Sequence, residues 1–395
     1  MPLPRPTFPV FCVSACSTTE RGGGSVNQNA AINISHVSRI AMTSVMCQGA
    51  CIVHDKIAIS KVKFFMLRRF VGFSCRFAAL LAALCSLLLL SASAQATVVV
   101  VLNSGDASVT LLDQATYKEI NTFSVGKEPH HLMATPDNKS LIVASATGNQ
   151  LIFLDPRTGE IQRQLRGIID PYQIGFSPDQ KWFVANGLRL DRVDIYHYDG
   201  HDLDLAKRVR LAKTPSHIAF DAGSTTAFIT QQGSNEVSAI DLATQQVKWT
   251  MPIGKLPAGI FMTPDNKYLM VGIMGKDYVQ VIDWRAQKIV KTIRTGEGAH
   301  NFRAHGDKRY VYVSNRVANT INVIDLQTME NVGEINVPGG PDCMEITEDG
   351  KTMWVTLRWI KKVAVIDLTS KKVIKLIPVG RSPHGIYFIN RAPDL

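Results

Sequence analysis

Residues 258–293 read AGIFMTPDNKYLMVGIMGKDYVQVIDWRAQKIVKTI. Ala258–Met262 is a short apolar run stopped by the turn Thr263-Pro264-Asp265-Asn266. Tyr268–Gly272 is a second, stopped by Met274-Gly275-Lys276-Asp277, and Val279–Ile282 and Lys288–Ile293 follow. Apolar and β-branched runs bounded by Gly, Pro, Asn and Asp are strands. Four such strands in about 40–45 residues make one blade of a propeller.

The unit recurs along the chain. An apolar-Asp pair appears as Leu112-Asp113, Leu154-Asp155, Tyr198-Asp199, Ile240-Asp241, Ile282-Asp283, Ile324-Asp325 and Ile366-Asp367, with spacings of 42, 44, 42, 42, 42 and 42. A second marker, Pro129, Pro171, Pro215, Pro257, Ala299, Pro341 and Pro383, keeps the same spacings. The Thr135-Pro136-Asp137 turn is echoed by Ser177-Pro178-Asp179 and Thr263-Pro264-Asp265, and more loosely by Asp221-Ala222-Gly223, His305-Gly306-Asp307 and Thr347-Glu348-Asp349. The two-residue excess lies between Ser177 and Asp199, which assigns one longer loop to that repeat. The expected fold is therefore all-β, a seven-bladed β-propeller of four-stranded blades. The first blade has only Thr97–Leu102, Ser108–Leu112 and Glu119–Val125 at the N-terminal end, and its missing strand is His384–Ile389. One C-terminal and three N-terminal strands would then close the ring and remove an open edge.

Val313-Ser314-Asn315, the Val323-Ile324-Asp325-Leu326 core and the Val379-Gly380-x-x-Pro383 ending resemble the YVTN-type seven-bladed propeller repeat over essentially all of residues 97–389. The resemblance implies the same fold and a secreted or periplasmic location, in a family most of whose members lack an established activity. Similar propellers occur in surface-layer proteins, in lactonases and antibiotic-cleaving lyases, and in the haem d1 domain of nitrite reductases. Fold does not choose among these.

Charge and cysteine divide the chain in two. The net charge of the 395 residues is +10, which by itself suggests a nucleic-acid or membrane partner. Residues 1–96 hold +7 of it and six of the seven Cys, leaving +3 and Cys343 for the remainder, so no strong nucleic-acid signal survives. Within that segment Met66-Leu67-Arg68-Arg69 opens a basic stretch, Phe77–Leu90 is apolar, and Ala94-x-Ala96 fits signal peptidase. We therefore expect residues 66–96 to be a signal peptide cleaved near Ala96, and residues 1–65 to be an over-extended or disordered leader. Cys12-x3-Cys16 and Cys47-x3-Cys51 there do not have a usual zinc-ligand spacing. The mature chain, 97–395, is expected to be a periplasmic or secreted monomer without a transmembrane span.

The candidate site follows from the register. The residue after each Pro or Ala marker opens the innermost strand at one mouth of the central channel. Around the ring these residues are His130, Tyr172, Ser216, Ala258, His300, Asp342 and His384, and the next row is His131, Gln173, His217, Gly259, Asn301, Cys343 and Gly385. Five of the eight mature histidines fall in these two rows. His300, Asp342, His384 and His130 are consecutive in the closed ring, a set that suits a transition metal, a haem-like iron or proton transfer. Strand alternation leaves one row facing the channel, with His131 and His217 then turned into the blades. Polar residues at strand starts also serve simply to solvate a wet channel. Arg316 and Arg358 fall in neighbouring loops, with Lys276 in another and Arg189 and Arg192 in the lengthened one. As forks they suit carboxylate or phosphate, though as loop residues they are expected to be solvated. The ligand set is thus His130, His131, Tyr172, His217, His300, Arg316, Asp342, Arg358 and His384. Cys343 reads as a small filler. There is no Gly-rich phosphate loop, Ser nucleophile elbow, CxxCH haem attachment or zinc-protease helix. The expected function is a ligand- or protein-binding scaffold; the alternatives are a metal- or haem-d1-like cofactor carrier, and a lactonase or lyase using the mouth His and Asp. The partner is an unidentified protein or a small anionic ligand.

Overall fold

The computed structural model describes residues 97–394. The leader, the signal segment and the cleavage point assigned above lie outside the described residues. Within 97–394 the chain forms seven antiparallel four-stranded sheets, as the repeat demands. The second to seventh blades begin at the innermost strands Pro129–Ala134, Pro171–Phe176, Pro215–Phe220, Pro257–Met262, Ala299–Ala304 and Pro341–Ile346. The first blade joins Val98–Asn103, Ser108–Asp113 and Glu119–Ser124 to Pro383–Tyr387. That closing strand pairs Val100 with Tyr387, Val101 with Ile386 and Asn103 with Pro383. Among the described residues no helix is long and apolar enough to cross a membrane.

The turns explain the sequence markers. Each repeated Asp ends a third strand or directly follows one, and turns its carboxylate onto the backbone N–H groups that follow. Asp113 accepts from Ala115 and Thr116, Asp155 from Arg157 and Thr158, and Asp283 from Arg285 and Ala286. In the Thr-Pro-Asp turns the Thr135 hydroxyl donates to Asp137 at 2.7 Å while Asn138 takes a left-handed φ of 55°. Adjacent sheets pack face to face; Val100, Leu102, Val109 and Leu111 of the first blade bury against Leu141, Val143, Ile152 and Leu154 of the second.

The two extra residues sit elsewhere than expected. The loop Leu188–Asp191 is as long as its counterpart at 146–149, since Gly187 pairs with Arg192 just as Ser145 pairs with Gln150. The insertion instead lengthens the hairpin of the third blade, whose Arg192–Tyr198 strand continues to the pair Tyr198–Leu203. Arg189 and Arg192 are therefore in an ordinary loop and at a strand start.

Beyond the last strand the C-terminus straps the face opposite the histidines. Thr347 bridges Arg391, the Ala392 N–H donates to the Ile346 carbonyl at 2.8 Å, and the Glu348 N–H donates to Asn390 at 3.0 Å. Arg303, on the sixth blade and only 6% exposed, pairs with Glu345 of the seventh and donates to the Ala392 carbonyl at 2.5 Å. Burial pushes the Glu345 carboxyl up, against the pull of Arg303 and Arg391. Arg303 thus joins two blades and the C-terminal segment in one buried contact. Arg303→Ala should cost about 3–5 kcal/mol in denaturant unfolding, because it strands the Glu345 charge. The double variant Arg303→Leu/Glu345→Leu should recover much of that loss. Truncation after Ile389 should lower the Tm while leaving the β-sheet circular dichroism intact.

Candidate functional site

The innermost strands share one irregularity that builds the site. In the second blade Pro129 pairs with Ser145 and Leu132 with Val143, so His130 and His131 together oppose the single residue Ala144. The same two-for-one bulge occurs in all seven blades, at Tyr172-Gln173, Ser216-His217, Ala258-Gly259, His300-Asn301, Asp342-Cys343 and His384-Gly385. A bulge interrupts alternation, so His131 and His217 of the second row join the first row at the mouth. The expectation that His131 and His217 turn into the blades is corrected by this geometry. The His130 and His131 rings are 4.7 Å apart, and the His217 ring lies 5.4 Å from His131 and 5.2 Å from His300.

Each bulge also needs new hydrogen-bond partners, and neighbouring strands and blades supply them. The bulged N–H groups of His217, Asn301 and Cys343 donate to the Thr230, Ser314 and Thr356 hydroxyls at 3.0, 3.2 and 3.1 Å. The bulged carbonyls face the preceding blade: Thr230 donates to Ala258 and Thr356 to His384, both at 2.8 Å. Two histidines are held in the same way. His131 Nδ1 lies 2.8 Å from the Tyr172 carbonyl, and His384 Nδ1 2.7 Å from the His130 carbonyl. Carbonyls only accept, so both Nδ1 atoms carry the proton and both Nε2 atoms present a lone pair. Gly259 is required here, because a Cβ on it would collide with the His300 carbonyl oxygen.

The five histidines, Asp342 and Cys343 are buried, with Tyr172, Arg316 and Arg358 partly so, and the charges follow from that. Burial pulls His131 and His300 down to about 4, and His130, His217 and His384 well below the usual histidine range, so all five are neutral. Burial raises the Tyr172 phenol to about 12 and the Cys343 thiol well above its ordinary value. Burial would raise the Asp342 carboxyl too, but the Arg316 guanidinium leads the groups that outweigh it and hold it well below its ordinary value. Arg316 reaches Asp342 Oδ2 at 2.5 Å and Arg358 reaches it at 3.3 Å. Both arginines are therefore tied to the aspartate, not solvated in their loops. Two guanidinium groups against one carboxylate leave one positive charge in excess. His300 Nδ1 lies 3.1 Å from Asp342 Oδ1 without the alignment of a hydrogen bond, and His384 Nε2 lies 3.6 Å from Oδ2.

The cluster thus gathers His130, His131, Tyr172, His217, His300, Arg316, Asp342, Arg358 and His384. Tyr172, His130 and His384 form a stack with centroids 4.0 and 3.7 Å apart. Arg189 pairs with Glu128 and Asp170, and Arg192 with Asp194, so neither joins. Cys343 sits 3.5 Å from His384 Nδ1, with its thiol protonated. The Nε2 atoms of His131, His217, His300 and His384 are buried without hydrogen-bond partners. Residues that sequence reasoning passed over include Thr230 and Thr356, whose only signal is a hydroxyl opposite the bulge.

These histidines should make the fold acid-sensitive. A histidine whose folded pKa lies below its unfolded value of about 6.5 contributes stability that is complete above that value. For His131 and His300 the contribution is lost as pH falls from about 6.5 to about 4, on the order of 3 kcal/mol for each. Urea unfolding at pH 7.5 and pH 5, with chelator present, should show the loss, and His300→Gln should flatten the slope.

No curated protein matches this chain. Several solved structures share its fold. A protein of unknown function from Desulfotomaculum acetoxidans aligns with TM-score 0.65 and 14% identity, over 75% of this chain and 100% of that one. The dihydro-haem d1 dehydrogenase NirN, in complex with DHE, aligns with TM-score 0.56 and 18% identity, over 74% and 75%. A putative 6-phosphogluconolactonase from Bacteroides fragilis aligns with TM-score 0.62 and 12% identity, over 76% and 99%. At these identities the likeness shows the fold alone. The model of one family matches residues 64–394, nearly the whole chain, and by that match and its closed ring of seven blades the protein belongs to the YNCE-like β-propellers.

Proposed function

We propose that the chain is exported and works as a binding module, taking a small anionic, metal-bearing ligand at the histidine-lined mouth of its channel. One observation carries this reading: buried imidazole nitrogens without partners gather beside an aspartate bound by two arginines. Neutral imidazole lone pairs suit a metal, and the excess positive charge suits an anion. A cluster that only solvated a channel would have no need to bury those nitrogens, since each unpaired buried group costs about 1–3 kcal/mol. The regular blades, with a single lengthened hairpin, favour a binding module over a catalyst. The likeness to NirN, solved in complex with DHE, makes a haem-type ligand the first to try.

The chain purified from its native host should carry stoichiometric metal or a ligand absorbance band. Stripped, it should regain that ligand from solution, and Arg316→Ala/Arg358→Ala should weaken the uptake tenfold or more. A colourless, metal-free product that takes up no haem-type ligand would overturn the reading. Export is checked separately: N-terminal sequencing of the native protein should begin at Thr97, and a cytoplasmic chain retaining residues 66–96 would refute it.

A further inference from the structure

We infer that His130, His131 and His384 form a transition-metal site of imidazole donors, a proposal that rests on the binding reading above and names its metal-holding atoms. One ring nitrogen of each residue lies within 4.8 Å of those of the other two. A tetrahedral ion at about 2.1 Å from each nitrogen needs donor separations near 3.4 Å, which the rings reach by rotating from this arrangement, in which His130 Nδ1 lies 2.9 Å from His131 Nδ1. Two donors are already prepared. The Tyr172 carbonyl takes the Nδ1 proton of His131 and the His130 carbonyl takes that of His384, leaving both Nε2 lone pairs free. Donating the remote N–H to a carbonyl is how metal-bound histidines are oriented. Both Nε2 atoms are buried and unpartnered, with His131 8% and His384 0% exposed. The third donor, His130, is clamped between the rings of Tyr172 and His384.

The donors differ from the set His130, His300, Asp342 and His384 expected from ring order. Asp342 is engaged by Arg316 and Arg358, and its charge is spent on them. His131 takes its place because the bulge brings the second row inward. An all-imidazole set selects copper, zinc or nickel over magnesium or calcium, and copper(II) should bind tightest of the divalent ions. The neighbouring guanidinium pair means that the ion is best accommodated with an anion on its open positions.

The test titrates chelator-stripped mature chain with Cu2+, Zn2+ and Co2+, and records the paramagnetic resonance spectrum of the copper form. We expect one ion per chain and coupling to about three imidazole nitrogens in the wild type, a readout that needs no variant. His131→Gln and His384→Gln should each weaken binding by more than about 10-fold, while His201→Gln, on an exposed turn, should not change it. Melting curves of the stripped variants report whether they fold. If the wild type takes up no ion alone but still binds a haem-type ligand, this inference fails and the binding reading stands. If it binds neither, both fail. An ion without nitrogen coupling, or one retained undiminished by both folded variants, also overturns the three-histidine site.

Discussion

The two-for-one bulge at the head of each innermost strand is the constraint on which the site and much of the ring depend. It turns a carbonyl toward the preceding blade, where that carbonyl must find a donor or be buried unpaired. Thr230 answers for Ala258 and Thr356 for His384. The histidines answer elsewhere: His131 for Tyr172 and His384 for His130. These two side chains therefore do structural work through Nδ1, stitching blade to blade, and leave Nε2 over for the proposed ligand. The same crowding explains the empty side of the ring. Ala258 and Gly259 present almost no side chain, which lets His217 and His300 approach each other across the fifth blade at 5.2 Å.

Much of this was readable from residue order. Pro, Asp, Asn and Gly act locally, so the turn markers at Thr135-Pro136-Asp137 and at the anchor Asp residues reveal the 42-residue period without any long-range information. The closing strand follows by counting, since the first unit lacks one strand and Pro383–Tyr387 has no other partner. Ring order then places His300, Asp342, His384 and His130 at one mouth. What could not be read there is pairing register. A bulge is a relation between two strands, and no residue type announces it. The available signal was the Pro opening six of the seven innermost strands, since Pro is confined to strand starts, edges and bulges. The misplaced insertion has the same cause. Asp199 marks a turn two residues late whether a loop or a hairpin has grown, and only the pairs Gly187–Arg192 and Tyr198–Leu203 decide it.

Electrostatics was the less legible part. Arg316 and Arg358 look like solvated loop residues because their neighbours in sequence are loop residues. Asp342 lies 26 and 16 positions away from them, on the innermost strand. The aspartate is fully buried, and an isolated carboxylate there would neutralise itself. It keeps its charge because both guanidinium groups fold inward onto it. Their recruitment is what makes the mouth positive in spite of five uncharged histidines.

That balance argues about why the cluster exists. A ring closed by strand exchange, seven packed sheet interfaces and the Arg303–Glu345 contact has enough stability to carry a polar interior at one end. Carrying it still costs something, because apolar side chains of similar volume could fill the mouth with no unpaired nitrogen. An ion and its anion binding only the folded ring would return that stability in proportion to the logarithm of their concentration over Kd. Under that proposal the destabilising term and the binding term would reside in the same atoms. A site arranged this way would cost the fold most when empty and least when filled, the property a carrier of a scarce ligand would need.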